Sequence, residues 1–162
     1  MEKELEWNHL RRYYLNHWFG PGDAEYLFNM IRCYKPSNII EIGSGYSTLI
    51  AAHAITKNVE ENDLYECRQF CIEPYENKWL EDIDVEVVRK RVEEVDLSYF
   101  EALNSNDFLF IDSSHVIRPQ GDVLFEYLEL LAALRSGVII QIHDIFTPRD
   151  YIPRWVLSES KL

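Results

Sequence analysis

The residues best suited to chemistry in this sequence lie in a short turn, EIGSGYST, over residues 41–48. Gly43 and Gly45 let the backbone come close to a ligand, and the start of the helix that follows offers free N–H groups. A dinucleotide-binding fingerprint would have a third glycine where Thr48 stands, and the Gly-Lys-Ser/Thr ending of a phosphate loop is also missing. Glu41 would repel a pyrophosphate but attract an ammonium or sulfonium group. The turn therefore favours a cationic ligand.

Two further carboxylates end apolar runs that we expect to be strands. Glu73 ends the run QFCIE, and Asp112 ends the run DFLFID. A carboxylate in the position of Glu73 can accept hydrogen bonds from both hydroxyls of a ribose, each worth roughly 1.5–3 kcal/mol when charge-assisted. Parallel strands deliver their carboxyl ends to one edge of a sheet. The glycine turn and the two carboxylates therefore predict a pocket for a positively charged nucleoside, which fits S-adenosylmethionine better than NAD.

Four polar residues at the ends of two neighbouring predicted strands could assist a group transfer at the same edge: Asp112, His115, His143 and Asp144. A hydroxyl acceptor must lose its proton, either to a general base worth typically about 10²–10⁴-fold or with a metal acting as a Lewis acid. His115 is the first choice for the base and His143 the second, although His143 also suits a structural core role. The two aspartates offer the oxygen ligands that Mg²⁺ prefers, or else brace their loops.

The elements that must position these residues alternate between strands and helices. Strands are predicted over residues 38–43, 69–73, 84–88, 107–112 and 137–143. Helices are predicted over 5–19, 23–34, 44–57, 76–82 and 121–134, with Asp23 as a cap. The last helix is predicted to bury one apolar side, formed by Val123, Leu124, Leu128, Leu131 and Leu134. This alternation predicts an α/β fold with a mostly parallel sheet and helices on both faces.

Composition limits the partners and the setting of the protein. The 162 residues carry 16 Lys and Arg against 28 Asp and Glu, and a net charge of −12 disfavours nucleic acid. No apolar run reaches the ~20 residues that span a membrane, and the opening MEKELEW is unlike a signal peptide. Three cysteines without a CxxC pair predict no disulfide framework. We expect a cytoplasmic protein with a helical segment over residues 1–35 packed on an α/β domain over 36–162.

Four segments, EIGSGYST, CIEPY, DFLFIDSSH and GVIIQIHDIF, in this order and spacing, resemble the class I S-adenosylmethionine-dependent methyltransferases. Within that class the sequence is similar to the small-molecule O-methyltransferases that include macrocin O-methyltransferase-like proteins, over roughly residues 20–155. The resemblance implies a Rossmann-like three-layer sandwich, S-adenosylmethionine as cofactor, and Mg²⁺ as a second candidate. It implies cofactor contacts from Glu41, Gly43, Gly45, Ser47, Glu73, Glu93 and Asp112, with Tyr46 and Tyr75 as candidates to flank the cofactor. It also implies metal-binding acids at Asp112 and Asp144.

The sequence departs from these relatives at two places. Relatives commonly carry glycine where Ser113 stands, so a side chain there would narrow the acceptor side. We expect the usual closing strands of the sheet to be missing after the fifth strand, either because the protein is naturally short or because the chain is a fragment or processed form. An open edge of this kind predicts a second copy that covers it in a homo-oligomer.

Three functions stay open at this stage. The first is methyl transfer to a hydroxyl of a small molecule. The second is a catalytically silent cofactor-binding or interaction protein. The third is a nucleotide-dependent oxidoreductase, which Thr48 and Glu41 disfavour.

Overall fold

The computed structural model describes residues 18–75 and 77–145 together with the single positions 153 and 157. Five strands form its sheet: β1 (Asn38–Ile42), β2 (Arg68–Ile72), β3 (Glu86–Val88), β4 (Phe108–Ile111) and β5 (Ile139–Ile142). Each begins and ends within three residues of a predicted strand. The predicted helix over residues 5–19 lies almost wholly outside the described residues, and so does the segment in which closing strands were predicted to be missing.

The sheet is entirely parallel, with the strand order β3-β2-β1-β4-β5. This confirms the predicted α/β, Rossmann-like class. The chain runs outward from β1 to β3 and then crosses back to β4, so the strand order reverses between β1 and β4. In open parallel sheets, ligands bind at the carboxyl ends of the strands that flank such a reversal. The site is therefore expected beyond Ile42 and Ile111.

Helices cover both faces of the sheet. They are α1 (Pro21–Tyr34), α2 (Tyr46–Glu61), the short α3 (Ser98–Glu101) and α4, which runs without a break through Asp122–Phe125, Glu126–Leu130 and Leu131–Ala133. Two 3₁₀ helices lie between strands, at Lys78–Asp82 and Val92–Glu94. Side chains alternate along β1, so that Ile39 packs with α1 and α2 and Ile40 packs with α3 and α4. No helix in the described part of the chain is long and apolar enough to cross a membrane.

Two helix predictions need correction. The helix α1 begins at Pro21 with Gly20 as its N-cap, so Asp23 lies in the first turn rather than at the cap. Proline suits the first helical position, because that residue has no helical partner for an N–H and its φ angle is already helical. The segment predicted as a helix over 76–82 forms a 3₁₀ helix over Lys78–Asp82. The short helix α3 and the 3₁₀ turn at Val92–Glu94 were not predicted.

The buried face of α4 is not the face that the sequence predicted on the assumption of a regular helical period of 3.6 residues. Leu128 was expected to be buried but is 70% exposed, whereas Glu126 and Leu130 are buried. Glu126 and Leu130 are four residues apart and share the buried face, and the segment Glu126–Leu130 between them is π-helical rather than regular. Leu131 and Leu134 pack against the core as predicted.

Candidate functional site

The turn after β1 depends on a glycine at position 43. Gly43 has φ of 80°, in the left-handed region, and a side chain there would come within 2.1 Å of the Asp112 carbonyl oxygen. No heavy atom lies within 4 Å of the place where a side chain at Gly45 would begin, so its backbone faces open space. Thr48, in the position of a third glycine, accepts a hydrogen bond from the Gly45 N–H at 3.0 Å. This threonine therefore fixes the turn from inside.

Glu73, just beyond β2, holds the glycine turn against the following loop. Its two carboxylate oxygens accept hydrogen bonds from the Ser44 N–H at 3.1 Å and the Tyr75 N–H at 2.9 Å. The side chain is buried, with 6% of the residue exposed. A carboxylate has about four acceptor positions, so each Glu73 oxygen retains capacity for one more donor.

Two adjoining cavities lie at the carboxyl ends of β1 and β4. The larger has about 630 Å³ and is lined by Trp18, Phe19, Ser44, Gly45, Tyr46, Ser47, Leu49, Asn77, Trp79 and Asp112. The smaller has about 210 Å³, and its lining includes Gly43, Glu73, Tyr75, Glu93 and Asp112. Asp112 lines both, so the two cavities form one crevice at the point where strand order reverses. Every residue predicted to contact a cofactor, except Glu41, lines this crevice.

Glu41 lies beneath the turn instead of in the crevice. Its side chain accepts hydrogen bonds from the Ser47 hydroxyl and, at 3.6 Å, from the Cys71 thiol. Only 2% of the residue is exposed, and burial raises its pKa to about 7. Glu41 therefore anchors the first turn of α2 from below, and its direct contact with a ligand stays a prediction.

Asp112, His115 and His143 form a hydrogen-bonded cluster. Asp112 Oδ1 lies 3.1 Å from His115 Nε2 and 3.3 Å from His143 Nδ1. Burial alone would raise the pKa of Asp112, but the two imidazoles outweigh it and lower the pKa to about 2. A carboxylate only accepts hydrogen bonds, so both histidines donate to it. The bond to Asp112 raises the pKa of His115 above its usual value.

The two histidines have different surroundings. His143 is 8% exposed and packs against the Phe19 ring, with a centroid distance of 5.1 Å. Burial acts to lower the pKa of His143, but Asp112 and the more distant Asp144 and Asp23 raise it overall. These carboxylates therefore favour the protonated form of His143. His115 is more exposed and has φ of 58°, a strained conformation for a non-glycine residue, of the kind that clusters at functional sites.

Comparison with known proteins identifies the family. A family model described as a methyltransferase domain matches residues 40–145, more than half of the chain. The chain belongs to this methyltransferase-domain family. An Archaeoglobus fulgidus protein, described only as uncharacterized, is 39% identical over 100 residues, which are 58% of this chain and 43% of that protein. The chain thus spans less than half of that relative's length.

A solved structure adds a more distant likeness. It is a Plasmodium falciparum protein described as a protein-L-isoaspartate O-methyltransferase, in complex with S-adenosyl-L-homocysteine. It aligns with a TM-score of 0.46 and 18% identity, over 82% of this chain and 66% of that chain. The closer resemblance to the macrocin O-methyltransferase-like group stays a prediction.

The donor atoms of this methyltransferase domain do not fit the Mg²⁺ site predicted at Asp112 and Asp144. Asp112 Oδ1 already receives two imidazole N–H groups, which leaves only Oδ2 as an oxygen ligand for a cation. The Asp144 side chain is 62% exposed and lies 3.6 Å from His143 Nδ1. Within residues 18–75 and 77–145, no three His, Cys, Asp or Glu side chains are grouped to hold a metal. We assign no step to a metal.

Two buried acidic residues of the methyltransferase domain were missed by the sequence analysis. Asp122, at the start of α4, accepts hydrogen bonds from the Ser114 N–H and hydroxyl, both at 2.8 Å. Glu126 accepts one from the Ser113 hydroxyl at 3.0 Å. These bonds hold the loop after β4 against α4. Charged residues on a helix are usually solvated, so the sequence carried no signal that these two are buried.

Proposed function

We propose that this domain binds S-adenosylmethionine in the crevice and transfers its methyl group to a hydroxyl of a small molecule. The observation that carries the proposal is the convergence of Gly43, Glu73 and Asp112 on one crevice where the strand order reverses. Membership of the methyltransferase-domain family supports it independently.

The crevice suits the two halves of this cofactor. In the smaller cavity, the remaining acceptor capacity of Glu73 matches the two hydroxyls of a ribose, and Glu93 lies near the place for an adenine. In the larger cavity, Tyr46 and Asn77 surround the space for the methionine part. The acidic side chains Glu73 and Asp112 suit a cationic ligand. When bound, the cofactor supplies an electrophilic methyl group on a sulfonium.

We assign proton removal to His115. Its Nε2–H donates to Asp112, which leaves Nδ1 to accept the proton of the acceptor hydroxyl. The deprotonated oxygen would take the methyl group that the bound cofactor would supply, and the sulfur–methyl electron pair would stay on the sulfur. Asp112 orients the ring and stabilises its charged form. His143, enclosed by aromatic rings, serves as a buried positive charge that keeps Asp112 ionised.

Calorimetric titration of S-adenosylhomocysteine and of NADH tests the proposal. We expect the wild type to bind S-adenosylhomocysteine and not NADH. Glu73→Gln keeps the size of the side chain but removes its charge, and should weaken S-adenosylhomocysteine binding about 10-fold or more, because charge-assisted hydrogen bonds contribute roughly 1.5–3 kcal/mol. Glu66→Gln, an exposed position before β2, is the matched control and should bind like the wild type.

Two results would contradict the proposal. One is preferential binding of NADH. The other is an unchanged affinity of Glu73→Gln for S-adenosylhomocysteine.

The setting and assembly of the protein are also proposals. The net charge of −12 supports a small acceptor rather than a nucleic acid. The partial exposure of Ile140 on β5, which is an edge strand among the described residues, supports a homo-oligomer. Sedimentation at micromolar concentration tests this, since a stable monomer would refute it. Action in the cytoplasm remains a prediction from the sequence.

A further inference from the structure

A separate groove lies between α4 and the ends of β4 and β5, next to the crevice. It encloses about 390 Å³, and we call it the apolar groove after its walls: Ile117, Val123, Leu124, Leu128, Ile142 and Ile145. Its polar lining includes Ser113, His115 and Glu126. Ser113 also lines the smaller cavity of the crevice, so the two spaces share a wall.

Glu126 is an unusual residue in such a groove. It is 1% exposed, and one of its carboxylate oxygens, Oε2, accepts a hydrogen bond from the Ser113 hydroxyl. The other oxygen, Oε1, is buried and has no hydrogen-bond partner in the described part of the chain. Buried polar atoms in proteins are nearly always paired. Glu126 lines the groove, so an unpaired oxygen on its carboxylate points to a ligand that carries an O–H or N–H group.

Glu126 lies at the start of a π-helical segment within α4. The π-helical segment Glu126–Leu130 turns Glu126 and Leu130 inward and leaves Leu128 at the exposed rim. Single π turns within α-helices occur frequently at functional sites. The π-helical segment thus contributes a polar side chain, Glu126, to the lining of the groove.

The groove is linked to the crevice through two residues. His115 lines the groove, and its Nε2 donates to Asp112, which lines both cavities of the crevice. A molecule in the groove would thus lie beside the residue to which we assign proton removal.

We propose that the apolar groove binds the methyl acceptor, and that the acceptor is a largely apolar molecule. Besides the hydroxyl that is methylated, it carries a second hydroxyl or an amine group that donates a hydrogen bond to Glu126 Oε1. This inference rests on the proposed function, because only methyl transfer makes the ligand an acceptor. The apolar walls select the body of the molecule, and the hydrogen bond to Glu126 Oε1 selects its orientation. Burial raises the pKa of Glu126 to about 7, so its carboxylate is mostly ionised at pH 8.

The experiment compares two probes of the same ring system by calorimetry at pH 8, with and without S-adenosylhomocysteine. 2-Naphthol has an O–H group to donate, and 2-methoxynaphthalene does not. We expect the wild type to bind 2-naphthol at least about 10-fold more tightly than 2-methoxynaphthalene, the discrimination typical of one charge-assisted hydrogen bond.

Variants at one position separate the hydrogen bond from general packing. Glu126→Leu should bind the two probes equally, whereas Glu126→Gln keeps an acceptor oxygen and should retain the preference for 2-naphthol. Glu129→Gln, an exposed glutamate on the same helix, should behave like the wild type. Glu126→Gln keeps the comparison informative if Glu126→Leu folds poorly.

The outcomes separate this inference from the proposed function. Failure of 2-naphthol to bind, or an undiminished preference in Glu126→Leu, overturns the inference, and normal binding of S-adenosylhomocysteine would then leave the proposed function standing. Failure of S-adenosylhomocysteine to bind refutes the proposed function and the acceptor assignment with it.

Discussion

At the scale of single residues, strand ends were the most informative feature of the sequence. Glu73 and Asp112 lie at the crevice because each directly follows a parallel strand, and parallel strands bring their carboxyl ends to one edge. The sequence pattern did not show how deeply each carboxylate side chain is buried. Glu41 belongs to β1 itself and is buried under α2, so its carboxyl contacts Ser47 and Cys71 rather than the crevice. A linear sequence gives the order of residues along a strand but not which helices pack over them.

The burial of Glu41 predicts a pH dependence of stability. Its pKa is about 7 in the folded protein and 4.5 in the unfolded chain. The unfolded state therefore releases its proton first as pH rises, so the associated stability is full below pH 4.5 and lost as pH rises through 7. The resulting loss of unfolding free energy is at most about 3 kcal/mol. Glu41→Gln should be more stable relative to the wild type at pH 8 than at pH 5, measured by urea unfolding.

The control for that measurement is Glu66→Gln, whose side chain is exposed. Glu126, His115 and His143 also have raised pKa values, and their contributions fall with rising pH as well, so the stability of the wild type should decline between pH 5 and pH 8. Parallel curves for Glu41→Gln and the wild type would contradict the account.

At the scale of elements, apolar runs bounded by turn residues predicted the strands well, and helices less well. Every strand among the described residues was predicted, because four or more consecutive apolar or alternating residues have few other structures available in an α/β protein. The inner face of α4 was not found, because a period of 3.6 residues assumes a regular helix and the Glu126–Leu130 segment is not one. Such local exceptions are expected where a protein builds a functional site.

Two glycines, one in the turn between β1 and α2 and one within α1, are expected to respond differently to substitution by alanine. Gly43→Ala would place a methyl group against the Asp112 carbonyl and strain a φ of 80°, so it should cost roughly 2–4 kcal/mol of unfolding free energy and weaken S-adenosylhomocysteine binding. Gly22→Ala, within α1 and with no heavy atom within 4 Å of the new methyl group, should be neutral or slightly stabilising. Thermal and chemical unfolding measure both, and an undiminished stability of Gly43→Ala would count against the tight turn.

At the scale of the whole molecule, the family and the class of fold were readable from four segments and the alternation of strands and helices. The model of the methyltransferase-domain family covers the same part of the chain, from β1 to just beyond β5. The acceptor could not be read in this way, because the side chains to which we assign its binding come together only in the folded protein. Glu126, Ser113 and His115 are such a set, brought together by α4 and the loop after β4.

The central claim is that a sulfonium nucleoside occupies the crevice, and a crystal structure with S-adenosylhomocysteine tests it most directly. The account predicts density for the ribose hydroxyls within hydrogen-bonding distance of Glu73, and for the homocysteine part in the larger cavity beside Gly45 and Tyr46. An empty crevice in crystals grown at saturating ligand, or a ligand bound elsewhere on the domain, would contradict it.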